Sequence, residues 1–214
     1  MSKRPASLRQ TAAPVPRAWQ RMLSGRRLNL LDPSPLDIEI EDIAHGLARV
    51  ARWNGQTLGP HIYSVAQHSL LVDAIAGRMS LNSTARTRLA VLLHDGAEYV
   101  IGDMISPFKA VIGTAYRETE ARILDAILRR FGLQAPMTKL AQDLAKKADR
   151  AAAYCEATRL AGFSFQEAAE FFGEAPALGT LPLPFLQPWT AEEAKIRFLA
   201  RFAELDHSVP QGLT

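Results

Sequence analysis

From about residue 40 to residue 205, apolar side chains recur at three- and four-residue intervals in one segment after another, and they almost never alternate. That period belongs to helices, whose side chains three and four apart share a face, and not to strands, whose period is two. Ile43, Leu47 and Val50 form the first stripe, with Gly55 as its stop. Residues 62–79 carry Ile62, Val65, Ser69 and Val72 on one face, and residues 84–101 carry Leu89, Leu92, Leu93 and Val100. Ile123, Ile127 and Leu128 mark a helix over 116–131 that Gly132 ends, and an Ala-rich helix spans 138–161 and closes at Gly162. Ser164 with Glu167, and Thr190 with Glu193, have the spacing of capping boxes and predict two further helix starts. Pro-rich residues 176–188 separate those two helices as an extended loop. Only Ile38 and Ile40 alternate with acids, consistent with a very short strand or extended lead-in. The expectation is a single all-α domain, a bundle of six to seven helices over 19–214, preceded by a Pro-, Ser- and Arg-rich flexible arm at 1–18.

Composition narrows the class. With 214 residues, 48% of them apolar and 22% charged, the chain can bury one full core and is neither fibrous nor disordered. Its apolar runs, such as Leu89 to Leu93, fall far short of the roughly 18 residues of a membrane span. The basic start lacks the apolar stretch of a secretory signal, and the lone Cys155 excludes an internal disulfide, so the chain reads as cytoplasmic. The net charge of +3 divides unevenly. Lys3, Arg4, Arg9, Arg17, Arg21, Arg26 and Arg27 sit in the first 31 residues with no acid, while residues 32–214 hold 18 bases against 22 acids. A body that is mildly acidic argues against a nucleic-acid polymer as partner.

The chemistry lies in where His and Asp fall on this helical frame. His94 and Asp95 are adjacent within Leu92-Leu93-His94-Asp95-Gly96-Ala97-Glu98, and a polar pair among apolar residues is costly unless something satisfies it. Imidazole plus carboxylate suits one divalent cation of the Mn, Co, Zn or Fe type. Two neighbours cannot close such a site. His68 on the preceding helix and Asp149 on the Ala-rich helix complete a two-His, two-Asp set with positions left for water and substrate. Taken singly, each has an ordinary alternative: His68 as a hydrogen-bonded core histidine, Asp149 as a solvated charge beside Lys146 and Lys147.

Five ordered blocks carry the context: Arg52-Trp53, Val65-Ala66-Gln67-His68-Ser69, His94-Asp95-Gly96-Ala97-Glu98, Gly102-Asp103-Met104-Ile105-Ser106-Pro107-Phe108-Lys109 and Lys147-Ala148-Asp149. Together, over about residues 40–160, they resemble the HD-domain metal-dependent phosphohydrolases. Within that family they are most similar to the branch of bacterial 5′-deoxynucleotidases and phage deoxynucleoside triphosphohydrolases. The resemblance implies His68, His94, Asp95 and Asp149 as metal ligands. It implies Glu98 as the acid that handles the attacking water or leaving group, and Asp103 as a second supporting carboxylate. Arg52, Trp53 and Lys109 become substrate-side groups, with Trp53 suited to stacking on or gating a sugar or base. A small nucleotide as substrate and a homodimer as assembly follow from the same resemblance. Gln67 and Gly96 depart from the branch, where Glu and Ala are usual, and leave sugar and base selectivity open. His61 and His45 read as ordinary helix histidines, and His207 as irrelevant to the site.

The implied activity is hydrolysis of a nucleoside 5′-monophosphate to nucleoside and phosphate. Release of triphosphate from a deoxynucleoside triphosphate is the alternative. A non-catalytic metal-containing module is a third reading, disfavoured because neither Glu98 nor Asp103 is needed merely to hold an ion. Phosphodiester cleavage would want more metal-binding histidines.

Overall fold

The computed structural model describes residues 17–207 apart from 106, 107, 110 and 112. The body of the expected arm, residues 1–16, lies outside the described residues. Within them the chain is all-α, with eight α-helices: α1 (Ile40–Leu47), α2 (Val65–Met79), α3 (Ala85–Leu92), α4 (Glu98–Ile101), α5 (Thr114–Arg130), α6 (Lys139–Arg159), α7 (Phe165–Phe172) and α8 (Ala191–His207). A small antiparallel hairpin, β1 (Trp19–Arg21) with β2 (Arg27–Asn29), precedes them. The sequence reading did not anticipate it. Its strands are three residues long, and only Leu28 turns inward, so no alternation announces it. Ile38 and Glu39 are extended, but α1 begins at Ile40, so the lead-in forms no strand.

Most helix starts are set by short polar side chains at the boundary. Ser64, Thr84, Thr138 and Ser164 accept from the backbone N–H three residues on, and Ser164 with Glu167 forms the full reciprocal box. At Thr190 only half the box exists. Thr190 Oγ1 accepts from Glu193 N (3.1 Å), but the Glu193 carboxylate goes to Arg197 (2.7 Å).

α2 runs through the centre and is buried on nearly every side. One flank of α2 packs, through Leu71, Val72, Ile75 and Ala76, on Leu144, Ala145, Ala148 and Ala152 of α6. The small alanines let the two helices approach closely, which is what carries Asp149 within reach of His68. The other flank, with Val65, Ala66 and Leu70, joins α1, α3, α5 and α8 in a second apolar cluster that includes Leu89, Leu93, Ile127 and Phe198. Each such fully buried aliphatic side chain is worth about 1.5–3 kcal/mol over an exposed one.

The helix expected over 84–101 is broken. α3 ends at Leu92, and the chain then makes tight three-residue turns, with Gly96 N donating to Leu93 O (2.8 Å) and Glu98 N to Asp95 O (3.0 Å), before α4 resumes. Glycine allows this. A Cβ on Gly96 would lie 2.9 Å from Leu93 O and 3.3 Å from Ile127 Cδ1. Gly46 likewise lets α1 lie directly on Tyr99, whose carbonyl oxygen would be 2.6 Å from an added Cβ.

Candidate metal centre

Because the break turns the backbone between α3 and α4, His94 and Asp95 leave the helix face and look toward α2 and α6. Asp95 Oδ2 sits 3.1 Å from His94 Nε2 and 3.5 Å from His68 Nε2, and Asp149 Oδ1 is 3.2 Å from His68 Nε2. Ligand atoms of His68, His94 and Asp149 all lie within 4.8 Å of one another, a spacing that fits a shared metal ion. The expected fourth group, Asp95, stands against both imidazoles.

The second nitrogen of each ring settles what the first can do. His68 Nδ1 donates to Glu156 Oε1 (2.5 Å), and His94 Nδ1 donates to the Val91 carbonyl (2.9 Å). A carbonyl accepts only, and so does an ionised carboxylate, so both Nδ1 atoms carry protons. Each Nε2 then faces the carboxylates, buried and without a hydrogen-bond partner of acceptable geometry. Two buried ring nitrogens directed at two carboxylates, yet poorly aligned for hydrogen bonds, match the donor set of a divalent cation with imidazoles oriented from behind. The residues fit the group.

The electrostatics agree. Burial and Arg52 pull the His68 pKa down, but Glu156, Asp149 and Asp95 raise it well above its usual value: the pocket demands positive charge at this point. Burial raises Asp95, and His94 and His68 reverse that and hold it well below the usual range. Asp149 is lowered in the same way, with His68 outweighing burial.

Glu156 was missed by sequence reasoning, and it organises the site. It is fully buried on α6, and burial alone would raise it, yet His68 and Arg52 bring its pKa down to about 2. Besides His68, its carboxylate accepts from Trp53 Nε1 (2.9 Å) and pairs with Arg52 Nη2 (3.3 Å). The available signal was its position seven residues after Asp149, two turns along the same helical face. Arg52 and Trp53 reach it from a tight turn in which Trp53 (φ 57°) and Asn54 (φ 50°) are left-handed, a conformation costing roughly 1–2 kcal/mol per residue for an L side chain. The buried Glu156 bonds hold that turn in place.

The remaining expected residues surround a cleft of about 680 Å³. Arg52, Trp53, Asp95, Glu98, Asp103, Lys109 and Asp149 all line it. Glu98 is 2% exposed; burial, Asp95 and Asp103 push its pKa up to about 9, leaving a neutral carboxylic acid beside the cluster, with Oε2 lacking a partner. Asp103 is also raised, by burial first, and its Oδ2 is 3.5 Å from Arg52 Nη1. Lys109 Nζ donates to Glu120 Oε1 (3.0 Å) and stands 3.6 Å from Glu98 Oε1. Trp53 sits edge-on to Phe163 and Phe172, with centroids at 5.6 and 5.8 Å.

Gln67 and Gly96 do not line the cleft. The Gln67 side chain donates to Phe185 O and Gln187 O (both 2.7 Å) and accepts from Trp189 N (3.0 Å), pinning the Pro-rich loop, while Gly96 is packed under α5. His61 and His207 are exposed, and His45 is half-buried on α1; none lines the cleft.

Fold and site together define an all-α protein with a candidate His/His/Asp metal centre. No protein-family model matches the chain. Over 158 residues, 74% of this chain and 81% of the other, it is 58% identical to an uncharacterized protein of Rhodobacter capsulatus, and it belongs to that protein's family. None of the described helices is long and apolar enough to cross a membrane.

Proposed function

We propose that this protein is an HD-type metal-dependent phosphohydrolase whose substrates are small nucleotides, foremost (deoxy)nucleoside 5′-monophosphates. One observation carries the reading: two imidazoles, each with Nδ1 committed, turn buried Nε2 atoms toward Asp95 and Asp149 at the floor of a cleft that Glu98 also lines.

His68, His94, Asp95 and Asp149 would hold the divalent ion. When bound, such an ion supplies Lewis-acid chemistry, acidifying water and stabilising charge on a phosphoryl oxygen. Glu98, whose pKa burial and its acidic neighbours raise, is placed to give a proton to a leaving oxygen, a contribution of typically 10²–10⁴-fold. Arg52 is held by Glu156 and Asp103, which aims its guanidinium into the cleft as a fixed positive charge for the phosphate. Lys109, tethered to Glu120, adds a second cation at the opposite carboxylate.

Metal-free protein reconstituted with Mn, Co, Zn or Mg and screened against nucleoside mono-, di- and triphosphates tests this reading. Metal-dependent phosphate release from monophosphates is expected. Triphosphate release would shift the reading to a deoxynucleoside triphosphate triphosphohydrolase, and metal binding with no turnover would make the protein a non-catalytic metal module.

A further inference from the structure

The cleft has one wall that the proposed chemistry does not use. Phe163, Phe171 and Phe172, contributed by α7 and the turn before it, line the same cavity as the acidic cluster. Their rings form a continuous aromatic set, with centroids 6.2 Å apart for Phe163 and Phe171, 6.1 Å for Phe163 and Phe172, and 6.4 Å for Phe171 and Phe172. Trp53 joins this set to the metal side, since its ring meets Phe163 and Phe172 while its Nε1 bonds Glu156, the partner of His68. Phe171 is 64% exposed, although a large aromatic side chain at a cleft mouth loses free energy by facing water. Arg150, next to the ligand Asp149, lines the cleft too and has no ion pair among the described residues. Among the described residues, none of the lining side chains is an amide or an alcohol.

We propose that Phe163, Phe171 and Phe172, with Arg150 beside them, form a stacking subsite that takes the flat base of the nucleotide by its face. This rests on the nucleotide-hydrolase reading and deepens it. The site distinguishes a substrate with an aromatic ring from one without, and it ranks bases by stacking area, purines above pyrimidines, without excluding any. Base–aromatic stacking accounts for about a 5- to 150-fold effect per base by alanine substitution. Arg150 supplies a guanidinium plane and positive charge suited to an anionic, ring-bearing ligand.

The test compares kcat/KM for the four deoxynucleoside monophosphates with that for 2-deoxyribose 5-phosphate, in the metal-loaded wild type and in Phe171→Ala. Binding of dAMP and of 2-deoxyribose 5-phosphate to the metal-free proteins is measured by calorimetry in parallel. Because Phe171 is largely exposed, the variant is expected to fold, which circular dichroism checks. The wild type should prefer nucleotides over the abasic ester by tenfold or more, and Phe171→Ala should collapse that ratio toward one. Arg150→Ala should lower it by a smaller factor. A wild-type ratio near one, or a Phe171→Ala variant that keeps the wild-type ratio, overturns the stacking subsite and leaves the hydrolase reading standing. If no ester is hydrolysed, Phe171-dependent binding of dAMP over the abasic ester supports the subsite while the hydrolase reading falls. Absence of that binding overturns the subsite.

Discussion

Helix α2 buries two ionisable side chains five residues apart, and their surroundings are opposite. Asp73 is fully satisfied: Oδ1 accepts from Arg88 Nε (2.7 Å), Oδ2 accepts from Arg201 Nε (2.8 Å), and Arg88 also donates to the Asp73 carbonyl (2.8 Å). That closed cluster ties α2 to α3 and α8. His68 is satisfied on one side only, at Nδ1, while Nε2 meets two carboxylates without a hydrogen bond. Burial of a charge therefore does not distinguish architecture from function along this helix; the unmet half of His68 does.

The contrast breaks down unless the two residues fail differently. At the metal end, Asp95→Ala is expected to remove both bound metal and turnover, measured as metal content per chain and phosphate release. Full activity in a metal-stripped sample of the variant would contradict the assignment. At the other end, Asp73→Ala leaves two arginines facing a hole and is expected to cost about 3–5 kcal/mol of stability in denaturant unfolding. Its folded fraction should still bind metal with wild-type stoichiometry, and loss of metal without loss of stability would reverse the comparison.

Smaller effects sharpen it. Glu98→Gln should lower turnover by about 10²-fold or more with metal retained. In the metal-free protein, Glu98 contributes stability that is present below its ordinary pKa of 4.5 and is lost as pH rises through about 9, because its folded-state pKa is raised. The Gln variant should flatten that alkaline decline, as read by Tm against pH. Glu156→Gln should weaken metal affinity by about 10- to 100-fold in chelator competition, since it orients His68 from behind. Its pKa is lowered to about 2, so its contribution is present above 4.5 and lost as pH falls through about 2; the variant should lose that acid-side slope.

The helical class and most helix starts were legible because capping side chains and the 3.6-residue period are local properties. The hairpin at 19–29 was not, since Leu28 alone is buried there and pairing of two basic segments leaves no pattern. Nor was the break after Leu92 visible, because it depends on how closely Gly96 approaches Ile127 across the core. All nine expected site residues do gather around one cleft or its buried floor, with His68 and His94 beneath the lining groups. Glu156 escaped because its role is set by partners about ninety and a hundred residues away, His68 on α2 and the Arg52-Trp53 turn. Gln67 sits beside His68 in sequence, but its side chain turns toward the 185–189 loop and serves packing.

The most direct measurement is an anomalous difference map from crystals of the protein soaked in Mn²⁺. The account predicts one strong peak per chain among His68 Nε2, His94 Nε2 and the Asp95 and Asp149 carboxylates. A map with no peak there, or with its strongest peak on other side chains, would contradict it.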